Sequence, residues 1–419
     1  MTHTLATSTL ATPLTLLLFL LFMPSQDARG QAVRKRANVP VSKSKAGYGA
    51  ASSRRDRDIA ALFAPVFYQR LGDHPRADLI TNFDFDGDWR GDNNWTNTDD
   101  QRFALRAYIY YAVSETPTHI FIHYALFHPR DYKGGGMGGP LLSGAIREGV
   151  RRGGRYDPTG LSSGAVLAHE NDLEGCLVVA SKSGDDPARA RVVYVETLGH
   201  DHFQKYLTED KVAANFKQVR TEGQRPLLYV EPKGHGVSAY DGTERESREV
   251  KDAKEPKDVK ESKESKDLKE SNETKAHKML VYRFAGKAGD AMLADVREVG
   301  YELLPLYSTL WPRARGGANQ TYGRADEFGP LTVGVAGAAG KASSTRRVVL
   351  GKLGAAFRGK VGAENAARPP WGWFDRDERD AGAGSWFFDP AATVKRHLNP
   401  VEEFSTSYLH APFLGIFRR

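Results

Sequence analysis

Residues Thr118 to Phe127 read THIFIHYALF, and Cys176 to Ser181 read CLVVAS. Both runs are rich in β-branched and aromatic side chains, which predicts strands. Loops rich in Gly, Asp and Pro separate them from similar runs, and Ala291 to Leu304 is the best helical candidate. The further predicted strands are AYIYYAV (Ala107 to Val113), RVVYVE (Arg191 to Glu196), PLLYV (Pro226 to Val230) and KMLVYRF (Lys278 to Phe284).

The spacing of these runs predicts the fold class. Short strands at irregular intervals, without helices alternating between them, disfavour a parallel α/β sheet. We therefore expect a mainly β protein, specifically an antiparallel β-sandwich with long loop insertions and a few helices. The hydrophobic fraction of 40% over 419 residues is sufficient for a buried core.

The N-terminal segment predicts secretion. Leu14 to Met23 reads LTLLLFLLFM, an apolar run too short to span a bilayer comfortably, and small residues follow it at Ala28 to Ala32. This is the pattern of a secretory signal peptide over residues 1–32, and an uncleaved signal anchor is the alternative. We expect no transmembrane segment once the signal is removed. The basic residues 33–57 predict a disordered lead-in, and residues 58–419 predict a single β-sandwich domain.

One internal tract differs from the rest of the chain. Lys251 to Ser271 contains seven consecutive triplets of Lys, an acidic residue and a third residue. The charges balance and apolar side chains are almost absent, so the tract cannot form a core. It predicts a disordered insertion over residues 244–277, with a long salt-bridged helix as the alternative.

Charge and sequence motifs restrict the function classes. The net charge of +7 is small for this length, and no zinc-finger spacing or RNA-binding signature accompanies it, so we expect no nucleic-acid partner. The single cysteine, Cys176, excludes an intrachain disulfide. Three sequons predict a glycoprotein if the source is a eukaryote; they begin at Asn94, Asn272 and Asn319.

The sharpest local pattern is HENDLE, residues 169–174. In extended backbone alternate residues share a face, so Asp172 and Glu174 point the same way, and a turn would fold His169 over that face. One imidazole and two carboxylates predict a divalent-cation site, in which the oxygen ligands favour Mg²⁺ or Ca²⁺ over Zn²⁺. A polar turn before a strand is the alternative interpretation.

Further polar residues predict a pocket and a second ion site. His200 and His202 follow the strand RVVYVE, and His235 follows PLLYV, so all three are candidates for contacting a ligand near the cation. Separately, a possible calcium loop has carboxylates at alternate positions before and after a glycine, with a plain acidic turn as the alternative. Its residues are Asp84, Asp86 and Asp88.

These motifs resemble those of two known families. HENDLEG, then RVVYVETLGHDHF and GQRPLLYVEPKGHGVSAY, resemble the vacuolar protein sorting sixty-two family over roughly residues 60–380; most of that family has no established biochemical activity. The pattern His-x-x-Asp-x-Glu is also similar to the motif of necrosis- and ethylene-inducing-like proteins, which are secreted β-sandwich cytolysins that hold a divalent cation and bind sphingolipid glycan headgroups.

The second resemblance implies roles for particular residues. His169, Asp172 and Glu174 take the positions of the cation ligands, and His235 takes that of a histidine on the headgroup side. The motif's tryptophan is Leu173 here. The upstream aspartate of the toxin site has no certain counterpart, and Asp157 is the candidate.

Three functions therefore stay open, and the sequence does not decide whether the protein is an enzyme. The first is a secreted, non-enzymatic protein that binds a glycan or a lipid headgroup on a membrane surface through a divalent cation. The second is a metal-dependent hydrolase with a metal-activated water and a histidine as acid or base. The third is a structural extracellular protein whose ion pins its loops.

Overall fold

Two long antiparallel strands form the centre of the fold. His119–Tyr132 pairs with Ala168–Ser181 along its whole length. Tyr124 points to one side of this pair, where its hydroxyl donates to the carbonyl of Ala60 at 2.6 Å. His123 points to the other side and is also buried. Burial of both faces explains why these segments read as nearly continuous apolar runs.

The computed structural model describes residues 49–72, 74–132, 168–199, 202–208, 216–242, 279–293, 296–337, 342–361, 367–378, 384–399 and 403–418. The helices are α1 (Ala50–Leu62), α2 (Pro75–Asp78), α3 (Asn94–Asn97), α4 (Leu310–Ala314), α5 (Ser385–Phe388) and α6 (Pro390–Leu398). The strands are β1 (Val66–Arg70), β2 (Tyr108–Glu115), β3 (His119–Tyr132), β4 (Ala168–Ser181), β5 (Arg191–Gly199), β6 (His202–Thr208), β7 (Lys217–Val219), β8 (Thr221–Glu222), β9 (Arg225–Val230), β10 (Val237–Ala239), β11 (Met279–Phe284), β12 (Glu298–Pro305), β13 (Tyr322–Phe328), β14 (Leu331–Val335), β15 (Ser344–Val348), β16 (Gly351–Phe357) and β17 (Ser407–Tyr408).

Twelve of these strands form one mixed sheet in the order β10-β9-β1-β11-β12-β2-β3-β4-β5-β6-β7, with β8 paired to β9. Two smaller sheets are β13-β16 and β15-β14-β17. A Cβ built on Gly199, at the end of β5, would lie 3.8 Å from the Cα of Gly236, just before β10, so the sheet bends back until distant strands approach each other.

The mainly β prediction is confirmed, and all six predicted strands are present. The purely antiparallel β-sandwich is not the form they take. Four neighbouring pairs in the large sheet are parallel: β1 with β9, β11 with β12, β12 with β2, and β6 with β7. Parallel neighbours require long connections between strands, and the sequence gives no signal for which strands such connections join.

Helix α1 begins earlier than the sequence indicated. A lead-in reaching residue 57 overlaps α1, which starts at Ala50. The basic side chains of this segment form ion pairs with the sheet: Arg55 pairs with the buried Glu115, and Arg57 Nη2 lies 2.8 Å from Glu302 Oε1. These contacts explain why a charged, alanine-rich stretch forms a helix against the sheet.

The helix expected over Ala291 to Leu304 is wrong for its second half. Residues Glu298–Pro305 form β12, which lies between β11 and β2 with parallel pairing on both sides. Val299, Tyr301 and Leu303 are buried and their neighbours are more exposed, which is the period of two expected of a strand.

Several predicted segments lie outside the described residues. They are the signal peptide over residues 1–32, residues 33–48 of the lead-in, and the Lys/acidic insertion at 244–277. Within the part of the chain that is described, no helix is both long enough and apolar enough to cross a membrane. The described part shares one hydrophobic core, which extends from Ile59 to Ile416.

Candidate functional site

The HENDLE motif forms the first half of β4, and Asn171 gives it its shape. Asn171 has a φ of 60°, in the left-handed region that asparagine adopts more readily than most residues. Its buried side chain donates to the carbonyls of Gly91 and Arg358, both at 2.8 Å, and accepts from Asn94 Nδ2 at 2.7 Å. The same contact buries Asn94, so the first sequon is closed to glycosylation in the folded protein.

His169 faces a carboxylate that the sequence motifs did not indicate. Its Nδ1 lies 2.9 Å from the carbonyl of Asn171, and because a carbonyl only accepts, Nδ1 carries a proton. Its Nε2 lies 3.3 Å from Oδ2 of Asp131, the residue directly opposite on β3. Two ligands about 2.1 Å from one ion are themselves roughly 3.0–3.4 Å apart, so this pair has the spacing of neighbouring metal ligands.

Asp172 contacts His235, although the two residues are far apart in sequence. His235 Nδ1 lies 2.9 Å from Asp172 Oδ2, and Nε2 lies 3.1 Å from Asp78 Oδ1. Burial disfavours a charged imidazole, but the two carboxylates outweigh it and raise the pKa of His235 to about 10. Burial likewise raises the pKa of Asp172, and His235 outweighs that effect and holds this pKa well below its usual range.

The same contacts limit the role of His235. It was predicted to touch the ligand, but its ring is fully buried and both nitrogens are engaged by carboxylates. In this arrangement His235 orients Asp172 and does not itself reach a partner. Its backbone φ of 54° is in the left-handed region, which turns the ring inward after β9.

Asp78 holds the segment before His235 in place. It lies at the end of α2, where Oδ2 accepts from the backbone N–H of Gly72 at 2.5 Å and Oδ1 accepts from that of Lys233 at 3.0 Å. Parallel pairing of β1 with β9 brings the segments after the two strands together. The contact between His235 and Asp78 therefore depends on a strand pairing that the sequence did not predict.

His128 completes the buried cluster. Its ring stacks on that of His235 with centroids 3.8 Å apart and an angle of 6° between the planes. Its Nδ1 donates to the backbone carbonyl of Asp78 at 2.8 Å. Burial, and then the neighbouring charge of His235, lower the pKa of His128 well below its usual value, so a neutral imidazole lies against a charged one.

The three predicted cation ligands share a region but do not converge on one point. Glu174 follows Asp172 on the same strand face and is buried. Among the described residues, three donor atoms within 4.8 Å of one another occur in one group, which is His202, Asp375 and Asp377. His169, Asp172 and Glu174 do not form such a group, because Asp172 is directed towards His235.

The remaining predicted ligand-contacting residues lie elsewhere. His202 is at the start of β6, where Nδ1 lies 3.3 Å from Asp377 Oδ2. His200 and Asp157 lie outside the described residues. The structure sets Asp131 beside His169. The antiparallel pairing of β3 with β4 was the signal that could have found it, since the two residues are cross-strand partners.

In the possible calcium loop, all three carboxylates accept hydrogen bonds from neighbouring side chains or backbone N–H groups. Asp84 Oδ1 accepts from Asn82 Nδ2 at 2.9 Å, and Asp86 Oδ2 accepts from Asn97 Nδ2 at 2.6 Å. Asp88 Oδ1 accepts from the backbone N–H two residues on, at 2.7 Å. Burial raises the pKa of Asp86. Calcium binding at Asp84, Asp86 and Asp88 therefore stays a prediction, without a convergent donor group among the described residues.

Comparisons with known proteins give weak structural neighbours. No family model matches the chain, and no curated protein matches it, so the resemblance to the vacuolar protein sorting sixty-two family receives no support. Several solved structures of the necrosis- and ethylene-inducing group resemble the chain, at low identity. One is titled "Toxin fold for microbial attack and plant defense", at 14% identity over 48% of this chain and 74% of that chain, with a TM-score of 0.25.

Two further neighbours have similar values. NLPPya in complex with glucosamine is 16% identical over 48% of this chain and 74% of its own, with a TM-score of 0.26. Necrosis and Ethylene inducing Protein 2 from the causal agent of cocoa's Witches Broom disease is 14% identical over 46% of this chain and 70% of its own, with a TM-score of 0.24.

Proposed function

We propose that this protein is a secreted, non-enzymatic binder of glycan or lipid-headgroup hydroxyls that works through a divalent cation. The cation is held by His169, Asp172 and Glu174, with Asp131 as a fourth ligand. The observation that carries the proposal is the 3.3 Å approach of His169 Nε2 to Asp131 Oδ2, with the other ring nitrogen committed to a carbonyl. When Nε2 carries no proton, its lone pair and the carboxylate oxygen are directed to the same point, where an ion replaces the proton that otherwise joins them.

The charge state of Asp172 also supports cation binding. The pKa of Asp172 is held below its usual range, so this side chain is a carboxylate at every physiological pH. Carboxylate oxygens with one imidazole suit Mg²⁺, Ca²⁺ or Mn²⁺. Asp172 reaches an ion at His169 through Oδ1, because Oδ2 stays on His235.

Exposure indicates the side from which a partner approaches. The side chain of His169 is 12% exposed, whereas that of Asp131 is 2% exposed. A partner hydroxyl that replaces water on the ion would therefore approach beside His169. Hard cations keep several water positions, which sugar hydroxyls can take.

A structural ion is the second candidate, and the burial of the ligands favours it. Asp131, Asp172 and Glu174 are all buried, which is typical of an ion enclosed to pin neighbouring segments. No observation favours the hydrolase. Of the histidines offered as its acid or base, His235 is enclosed by two carboxylates and His202 lies beside Asp377.

Calorimetric titration of the full chain with Mg²⁺ and Ca²⁺ tests the proposal, followed by titration with a sugar. Glucosamine and mannosamine, the ligands named for two neighbours, are the first sugar probes. We expect saturable cation binding and sugar binding that requires the cation. His169→Ala and Asp131→Asn should each weaken cation binding at least about tenfold, because mutation even of residues that only hydrogen-bond to a metal ligand typically has an effect of this size.

Asp326→Asn is the matched control, because this exposed carboxylate pairs with Arg324 on the surface. It should leave both titrations unchanged. Cation binding that raises the melting temperature without any sugar binding would favour the structural ion. Wild-type protein without cation binding would exclude both candidates.

A further inference from the structure

We propose that His202, Asp375 and Asp377 form a second cation site, independent of the first, that takes a transition-metal ion of the Zn²⁺ type. Donor atoms of the three side chains lie within 4.8 Å of one another. One imidazole nitrogen with two carboxylate oxygens is a mixed donor set that Zn²⁺ accepts, with further positions left for water.

The site joins two distant parts of the chain. His202 begins β6, and the two aspartates lie in a turn more than 170 residues later. Asp375 is buried, at 8% exposure, and its Oδ2 accepts from the backbone N–H of Phe203 at 3.3 Å. Its Oδ1 accepts from the backbone N–H of Asp377 at 2.9 Å, so Asp375 fixes the turn against the strand.

Glu378, the next residue, holds the turn in place from the other side. Its Oε1 accepts from Lys205 Nζ of β6 at 2.5 Å, and its Oε2 lies 2.7 Å from His397 Nε2 of α6. The turn is thus anchored to a strand and to a helix independently of any ion. The backbone of the turn therefore needs no further ordering when an ion binds.

The outer side of the cluster is open. The side chain of His202 is 38% exposed and that of Asp377 is 77% exposed, so both can rotate towards an ion from solvent. Arg376 Nη2 donates to His202 Nε2 at 2.6 Å, which places the ring proton on Nδ1, facing Asp377. Binding of an ion at Nδ1 moves that proton to Nε2, and Arg376 then turns away from the ring.

Calorimetric titration of the full chain with ZnCl₂ alone tests this site. We expect the wild type to bind one Zn²⁺ at this site with a Kd below about 100 µM. His202→Ala and Asp377→Asn should each raise that Kd at least about tenfold. Both side chains are exposed, so the variants should fold, which circular dichroism checks.

Two control variants distinguish Zn²⁺ binding at this site from Zn²⁺ binding elsewhere on the protein. Asp326→Asn removes an exposed carboxylate far along the chain from His202 and should leave the Kd unchanged. His169→Ala disrupts the cation site of the proposed function and should also leave it unchanged. A wild-type Kd above about 100 µM, equal Zn²⁺ affinity in His202→Ala and wild type, or loss of Zn²⁺ binding in His169→Ala would each overturn the inference.

Discussion

Two clusters in this protein have the same composition, one histidine with two aspartates, and they differ in the burial of the histidine. The buried histidine cluster is His235 with Asp172 and Asp78, and the exposed histidine cluster is His202 with Asp375 and Asp377. In the buried cluster the ring is fully enclosed, with carboxylate contacts at 2.9 and 3.1 Å. In the exposed cluster the histidine side chain is 38% accessible and its carboxylate contact is 3.3 Å long.

Burial decides what the shared composition does. In the buried cluster, the carboxylates raise the pKa of His235 to about 10 in spite of desolvation, so its charge is fixed at neutral pH and serves structure. In the exposed cluster, water competes for the contact between His202 and Asp377, so these two side chains can exchange that contact for an ion at little cost, while the buried Asp375 stays bonded to backbone N–H groups. A fixed charge suits a positioning element, and exchangeable donors suit the ion binding that we propose for the exposed cluster.

The largest expected effect is the loss of Asp78 from the buried cluster. Asp78→Ala removes the acceptor of two backbone N–H groups and one of the two carboxylates around His235. Removing one partner of a buried ion pair destabilises a protein by about 3–5 kcal/mol, because the remaining charge is left without compensation. Urea denaturation of the variant measures the change in the free energy of unfolding.

Asp326→Asn serves as the reference for that experiment, since a surface carboxylate outside any network changes stability by about 0.5 kcal/mol or less. If Asp78→Ala lowered the free energy of unfolding by no more than Asp326→Asn does, the role of burial would be refuted. The two clusters would then differ only in position.

The sequence predicted the central strands, but it did not predict the contacts of Asp78 and His128 with His235. The strands of THIFIHYALF and CLVVAS were predictable because apolar β-branched runs report burial directly. The resemblance to a known motif assigned His235 to the headgroup side of the cation, and it did not predict the contact of His235 with Asp172. Asp78 and His128 carry no such signal, because they reach His235 through the parallel pairing of β1 with β9.

Asp131 shows how much of the proposed cation site the sequence indicated. It is the cross-strand partner of His169, so the register of β3 against β4 was the missing information. The register is unbroken from the pair His119 and Ser181 to the pair Tyr132 and Ala168, but neither run of residues carries a turn signal that sets it. The sequence did not predict the exposed histidine cluster: His202 was selected as a ligand-contacting residue near the cation at His169, and the aspartates that follow the run PPWGWF were not selected.

The pH dependence of stability gives the second prediction. The pKa of His235 is raised from its usual value near 6.5 to about 10, so its contribution is fully present below about pH 6.5. The contribution is lost as the pH rises through about 10, with a slope of at most about 1.4 kcal/mol per pH unit. The difference in free energy of unfolding between wild type and His235→Gln should therefore shrink between pH 7 and 10. A difference that stays constant over this range would show that His235 is not charged.

The smallest expected effect belongs to the exposed histidine cluster. Asp377→Asn removes the 3.3 Å contact with His202 from a side chain that is 77% exposed. Exposed pairs of this kind contribute between about 0 and 1 kcal/mol, because solvent screens the charges and ordering both side chains opposes the gain. Urea denaturation without metal should therefore place the variant within about 0.5 kcal/mol of the wild type. With saturating Zn²⁺ the wild type should have the larger free energy of unfolding. An ion that binds the folded state stabilises it, and it does so more when it binds more tightly. A large loss of stability without metal would mean that Asp377 supports the fold, and the contrast between the two clusters would disappear.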